Sequence, residues 1–141
     1  MKGIFQFVLA ISVFLYRLTH GKFGGRVQGL PVLLLTTRGR KTGKERTRPI
    51  GYFMDNNDYV ITASNAGFKT QPAWFHNLHA NPRVTIEVKD RQMAAVAEIA
   101  TAERRSSLWS RLISLAPGYA NYARRTRREI PLIILHPLNH E

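Results

Sequence analysis

Residues Thr36–Arg46 read TTRGRKTGKER and hold five cations and two glycines in eleven positions. Phosphate is bound well where backbone N–H groups, a hydroxyl and cations converge, and glycine permits the close backbone approach that such a nest requires. Gly39, Gly43, Thr42, Arg40, Lys41 and Arg46 supply each of those parts. Arginine adds a forked two-bond grip that lysine lacks. The spacing is not that of a P-loop: three residues separate the glycines, and Glu45 follows Lys44 where Ser or Thr is needed. No GxGxxG dinucleotide pattern occurs either. A basic hairpin loop bathed in solvent has the same composition, so the loop by itself leaves both readings open.

Other candidate chemistry is sparser. His76 and His79 lie three apart, but no carboxylate or third ligand has helpful spacing, so no metal site is expected. There is no cysteine, which excludes disulfides, zinc fingers and thiol nucleophiles and suits a reducing, cytoplasmic setting. Twenty-one Lys and Arg face nine Asp and Glu, a formal +12, and Glu45 is the first acidic residue of the chain. Such a field attracts nucleic acid, an anionic membrane surface or a multiply charged small molecule. No groove-reading motif is present, so nucleic acid is not the expected partner. The run Arg124–Arg128 has the character of a solvated face, open also to lipid head groups or an acidic tail.

These residues must be positioned by elements that the pattern predicts. The chain has 141 residues, 44% of them hydrophobic, which is one domain with a real core. The apolar run Pro31–Thr36 predicts a strand covered on both faces. Arg46–Met54 and Tyr59–Ser64 predict two more, joined by an Asp55–Asp58 hairpin turn. Asn65–Pro72 predicts a loop, and Ala73–Ala80 a short helix halted by Asn81-Pro82. Strands follow at Arg83–Val88 and Gln92–Ala100, turning at Lys89–Arg91. A helix over Thr101–Leu115 is capped by Thr101 with Glu103 in its first turn. Pro117-Gly118 ends it, Tyr119–Arg128 gives another helical turn or two, and Ile130–His136 gives a last strand. Strands that arrive mostly in hairpins predict an antiparallel barrel rather than a Rossmann sheet.

The N-terminus is a separate unit in this reading: an apolar helix over residues 1–20, then a single barrel domain over 21–141, linked through the flexible stretch Gly21–Gly25. The apolar stretch to Tyr16 is roughly 20 Å long as a helix, short of a bilayer core of about 30 Å. No small-x-small cleavage site marks it as a signal peptide. Lys2, Gln6, Arg17 and His20 form one narrow polar stripe on it. Such a helix suits an anionic membrane interface, on the inner face of the cell membrane, and equally suits packing on the domain core or on a partner.

The combination of TTRGRKTGKERTRPIGY, ITASNAG and QPAWFHNLHANPRVTIEV resembles the deazaflavin-dependent nitroreductase family, which uses reduced coenzyme F420. The likeness runs from about Gly24 to Val88 and resumes more weakly at GYANYARRTRREIPLIIL. It implies a split β-barrel related to FMN-binding barrels and a cofactor bearing a phosphate and several glutamates. By position, Arg40, Lys41, Thr42 and Arg46 are implied to hold the phosphate, with Lys69 adding charge. The loop residues Asn65, Ala66 and Gly67, together with Pro72, Ala73, Trp74 and Asn77, are implied to border the deazaflavin.

The reaction implied is hydride transfer to a small electron-poor acceptor: a quinone, an enone or a nitroaromatic. The acceptor gains negative charge as hydride arrives, and a hydroxyl at its oxygen would lower the barrier. Ser64, Tyr119 and Tyr122 are the candidates; the two tyrosines match residues lining the acceptor pocket of the resembled family. Two other readings stand beside this one: a barrel carrying FMN or haem, and a basic lipid- or cofactor-binding module without turnover. Related barrels often pair, so a homodimer is also open.

Overall fold

The computed structural model describes residues 10–11, 13–19, 26–27, 29–64 and 69–138. The expected linker Gly21–Gly25 lies outside them. Helix α1 is described over residues 10–11 and 13–18. It is followed by β1 (Arg26–Val27), β2 (Leu30–Arg38), β3 (Glu45–Asp55), β4 (Asp58–Thr62), α2 (Ala73–Ala80), β5 (Arg83–Val88) and β6 (Arg91–Ile99). Then come α3 (Ala102–Leu115), α4 (Tyr119–Thr126) and β7 (Leu132–Pro137). Every pairing is antiparallel, in the order β2-β3-β4-β7-β6-β5, and β5 returns to β2. Strand β1 pairs only with the start of β2. The result is the expected closed split barrel.

The period-2 rule explains how two apolar runs serve two cores. In β2, Leu33 and Leu35 enter the barrel interior, whereas Val32 and Leu34 meet Tyr16 and Val13 of α1 outside. In β7, Ile133 and Leu135 point inward, while Leu132 and Ile134 pack against Leu108 and Leu112 of α3. Continuous apolar strands are what a sheet covered on both faces requires.

Helix α1 is fixed by one hydroxyl. Tyr16 donates to the Val32 carbonyl and accepts from the Lys89 N–H, both at 2.8 Å, and is 1% exposed. It therefore ties α1 to β2 and to the β5–β6 turn at once. A buried polar group left unpaired costs about 1–3 kcal/mol, so this bridge matters more than the apolar contacts suggest. Among the described residues no helix is long and apolar enough to cross a membrane.

Several element ends differ from expectation. Strand β4 stops at Thr62 instead of Ser64, because the carbonyls of Ala63 and Ser64 are taken by the Arg128 side chain at 2.9 and 3.1 Å. Helix α4 stops at Thr126, where Arg127 adopts a left-handed φ of 57°. Strand β7 begins at Leu132, after Pro131, which has no N–H for the ladder. The hairpin turn at Asn56 (φ 57°) and the Thr101 cap, accepting from the Arg104 N–H at 3.3 Å, are as expected.

One histidine staples three strands. His136 on β7 meets Asp58 of β4 through Nδ1 at 3.0 Å and Glu98 of β6 through Nε2 at 2.7 Å. The Glu98 hydrogen bond, more than the opposing burial, raises its pKa above the ordinary value, and Asp58 adds to this. A folded-state pKa above the unfolded one adds stability that is complete below the unfolded value, about 6.5. That stability is lost as pH rises through the folded value. Denaturant melts from pH 5 to 9 are expected to show this alkaline loss in the native chain. His136→Asn should flatten it; an unchanged pH profile in that variant would refute the staple.

Candidate functional site

The basic loop joins β2 to β3 and owes its shape to its glycines and one asparagine. Gly43 sits at φ +75°, where a side chain is strained. A Cβ on Gly39 would meet Thr42 Oγ1 at 3.0 Å and the Lys44 carbonyl at 3.2 Å. The loop closes on itself through Gly39 N–H to the Lys44 carbonyl (2.7 Å) and Gly43 N–H to the Gly39 carbonyl (2.8 Å). Lys44 N–H donates to Thr42 Oγ1 at 3.2 Å. Four loop amides, those of Gly39, Arg40, Gly43 and Lys44, are thus engaged. The nest is consequently narrower than the sequence suggests.

The fourth of these bonds anchors the loop to the barrel. Asn77 Oδ1 accepts from the Arg40 N–H at 3.1 Å, and Asn77 Nδ2 donates to Thr37 Oγ1 at 3.2 Å. Asn77 and Thr37 are 5% and 1% exposed. The side chain expected to reach a ring is thus occupied in joining α2, β2 and the loop.

Around this junction lies a cleft of about 190 Å³ lined by Gly39, Arg40, Lys41, Thr42, Arg46, Arg48, Ala73, Trp74 and Asn77. Seven of the expected residues, Arg40, Lys41, Thr42, Arg46, Ala73, Trp74 and Asn77, are therefore gathered in one place. Arg48 was missed. It follows Arg46 by two, the same-face spacing in a strand, and that period was the available signal. Burial first and the neighbouring Arg46 charge second lower its pKa. It still stays cationic, as arginine does in proteins. Among the described residues neither Arg46 nor Arg48 has a carboxylate at ion-pair distance. The N-terminus of α2 opens on the same cleft, begins after Pro72 and has no side-chain cap. Its first amides and its dipole add to the anion-attracting field. Trp74 lines the cleft and also packs on the barrel core.

The remaining expected residues are distributed differently. Lys69 is exposed and outside the cleft lining. Asn65, Ala66 and Gly67 lie outside the described residues. Ser64, two residues beyond the end of β4, is 9% exposed. Tyr119 is 4% exposed within the outer core and edge-on to Tyr122, centroids 5.3 Å apart. Burial, then the adjacent Tyr122, push its pKa up to about 12, against a lowering hydrogen bond from Thr62. Tyr119 therefore remains a protonated donor at neutral pH, tied to β4 two residues before Ser64. Arg128 was also missed as a positioning residue: besides the two carbonyls it donates to Gln71 Oε1 at 2.8 Å, holding both ends of segment 63–71. Among the described residues no group of three His, Asp or Glu could hold a metal.

The model of a family described as F420H(2)-dependent quinone reductase matches residues 9–137. The chain belongs to this family. An F420H(2)-dependent quinone reductase of Mycobacterium tuberculosis (strain ATCC 25618 / H37Rv) is 38% identical over 127 residues, covering 86% of this chain and 84% of that protein. A solved F420-H2 dependent reductase is 34% identical with a TM-score of 0.69, covering 75% of this chain and 94% of the other. Another solved chain, described as a domain-swapped dimer, is 33% identical with a TM-score of 0.70, covering 84% and 90%. The protein is thus an oxidoreductase whose cofactor is coenzyme F420. Its cleft suits such an anion: Arg46 and Arg48, with no carboxylate at ion-pair distance among the described residues, a helix N-terminus without a side-chain cap and a half-buried indole meet there.

Asn77→Ala would leave the buried Thr37 hydroxyl and the Arg40 N–H without their partner. A stability loss of about 1–3 kcal/mol is expected in denaturant melts. F420 affinity should fall with it, although Asn77 carries no charge. Wild-type affinity in this variant would show that the loop needs no anchor.

Proposed function

We propose that the cleft between the β2–β3 loop and α2 holds the phosphate end of F420. The ring would lie along Pro72, Ala73 and Trp74, and the protein would reduce a quinone. The observation that carries this is the convergence of Arg40, Lys41, Arg46 and Arg48 on one cleft, with no carboxylate at ion-pair distance from Arg46 or Arg48 among the described residues. The reduced cofactor supplies a hydride; the chain supplies orientation and a place for the charge that develops on the acceptor. In this reading Thr42 gives a hydroxyl to the phosphate and Lys69 screens the acidic tail. Segment 65–67 borders the ring, with Arg128 holding that segment in place. Tyr119, protonated and buried, orients Tyr122, the more accessible of the pair. Tyr122 or Ser64 then donates to the acceptor oxygen. Enones and nitroaromatics share the electron-poor character of a quinone and belong to the same proposed acceptor range.

Titrating the full chain with oxidised F420 tests this. Micromolar binding is expected, and Lys41→Ala and Arg46→Ala should each weaken it about tenfold, the worth of one solvent-accessible charge-assisted contact. Their melting temperatures should stay near the native one. Failure to bind at micromolar concentration would defeat the proposal, as would FMN or haem colour in the purified protein. Reduction of a simple quinone by F420H2, followed by the appearance of the oxidised cofactor's absorbance, extends the test to the acceptor.

A membrane position is supported by a second observation. Ile11, Phe14 and Leu18 are 42%, 62% and 63% exposed, at the i, i+3, i+7 spacing of one helical stripe, opposite the buried Tyr16. With a formal +12, such a stripe suits peripheral attachment to anionic lipid on the cytoplasmic side and access to a lipid-soluble quinone. The full chain is expected to co-sediment with anionic vesicles, and Phe14→Ser with Leu18→Ser should release it. Equal sedimentation of that double variant would sink the attachment. Pairing of two copies draws support from the relative described as a domain-swapped dimer, and light scattering of the purified chain decides it.

A further inference from the structure

A separate space, of about 180 Å³, lies where β3, β2 and β5 run side by side and is lined by Thr36, Arg38, Glu45, Asn81, Arg83 and Thr85. It shares no lining residue with the cofactor cleft. Leu33 and Leu35 of β2, Ile50 of β3 and Val84 and Ile86 of β5 face the barrel interior. By the period of two, Thr36, Arg38, Glu45, Thr47, Arg83 and Thr85 therefore share the outer face. The strand register sorts them into rows. Thr36 stands opposite Thr47 on one side and Thr85 on the other, a row of hydroxyls. Arg38 stands opposite Glu45, and Arg83, two residues before Thr85, falls beside Arg38 in a row of charges.

The charged row is unbalanced. Like charges opposite one another across strands are destabilising, and Arg38 beside Arg83 is such a pair. Among the described residues neither has a carboxylate at ion-pair distance, although Glu45 is the register partner of Arg38. Arg38 Nη1 meets the Gly43 carbonyl at 3.4 Å, long for such a bond. Arg83 is fixed through its backbone, whose N–H donates to Asn81 Oδ1 at 3.3 Å. Thr36 Oγ1 lies 2.8 Å from Thr47 Oγ1; when Thr47 donates, the Thr36 proton is left for a ligand. Two guanidinium groups and hydroxyl donors thus surround a space that also holds one acceptor-only carboxylate.

We infer that this space is a binding site for inorganic phosphate, distinct from the site of the cofactor. Its volume is below the usual range for organic ligands, about 300–1,000 Å³, and suits a small ion with a few waters. The arginine forks match the charged oxygens of a tetrahedral anion. Glu45 decides which anion enters. Hydrogen phosphate keeps one O–H at neutral pH and can donate it to the carboxylate, while its other oxygens meet Arg38, Arg83 and the threonines. Sulfate has the same shape and no proton, so it turns a lone pair toward Glu45. A phosphate monoester, with a second pKa of about 6, has also lost its proton by pH 8. The ion sits at the base of the cationic loop, since Arg38 ends β2 and Glu45 begins β3. Its charge offsets the repulsion between Arg38 and Arg83 and joins the two strands from which the loop springs.

Calorimetric titration of the full chain with inorganic phosphate, sulfate and methyl phosphate at pH 8 and fixed ionic strength tests this. Phosphate is expected to bind one saturable site with a Kd of about 1 mM or below. Sulfate and methyl phosphate should bind about tenfold more weakly, since each replaces a hydrogen bond by a repulsion. Glu45→Gln should bring phosphate and sulfate close to equal affinity, because an amide can donate to either. Arg83→Gln should weaken phosphate about tenfold. Arg124→Gln, which removes the same charge from exposed α4, controls for the overall field and should leave the preference intact. Thermal melts confirm the fold of each variant. Should Arg83→Gln fail to fold, Thr85→Val keeps the charge and shape and is expected to weaken phosphate about threefold. Saturating oxidised F420 should leave the phosphate affinity within about threefold.

Equal affinity for phosphate and sulfate in the native chain overturns the inference. So does a preference that survives Glu45→Gln, or phosphate binding that neither Arg83→Gln nor Thr85→Val weakens. Displacement of phosphate by F420 would place the ion in the cofactor cleft and overturn it too. A chain that binds phosphate selectively but no F420 fails the cofactor reading alone.

Discussion

Two hydrogen bonds from one buried amide hold the cationic loop against the barrel. Asn77 accepts from the backbone of Arg40 and donates to Thr37, so a helix, a strand and a loop distant in sequence share one side chain. The constraint is needed because the loop is electrostatically unfavourable in isolation. Five cations in eleven residues repel one another, and Glu45 is the only acid among them. Left to itself such a segment would spread into water. The anchor, the tight turn at Gly43 and the close approach at Gly39 keep the charges convergent, and convergence is what an anionic ligand uses.

The barrel serves this arrangement by being covered on both faces. Strands β2 and β7 send alternate residues to the interior and to outer helices, so two modest apolar runs build three packed clusters. Helix α1 is held by Tyr16 on one side of Arg46 and Arg48, and α2 closes the other side. Arg128 fixes the ends of the segment after β4 through three bonds. Its neighbour Arg127, left-handed at the end of α4, ends the helix just before it.

The two tyrosines of α4 show how packing divides similar residues. Both stand at the same helical spacing, yet Tyr119 is sunk in the outer core with its proton held up to about 12, while Tyr122 remains half-buried beside it. The first is suited to support and the second to contact.

Local chemistry made much of this protein legible in advance. The hairpin at Asp55–Asp58, the helix Ala73–Ala80, the cap at Thr101 and the two-faced strand β2 follow from turn residues, capping residues and period-2 patterning, which act over a few positions. The gathering of Arg40, Lys41, Thr42 and Arg46 was legible for the same reason, since a loop of consecutive residues cannot scatter. What only the tertiary structure decided depends on partners far apart in the chain. Asn77 serves as an anchor because Thr37 and the loop lie beside it. Arg128 left the solvated run to hold segment 63–71, and Arg48 joined the cleft when the strand face was set. Tyr16 became a buried bridge, which no hydropathy pattern encodes. The roles of Asn77, Tyr16 and Arg128 arise from hydrogen bonds across 40, 73 and 65 positions of sequence, and pattern reading sees only neighbours.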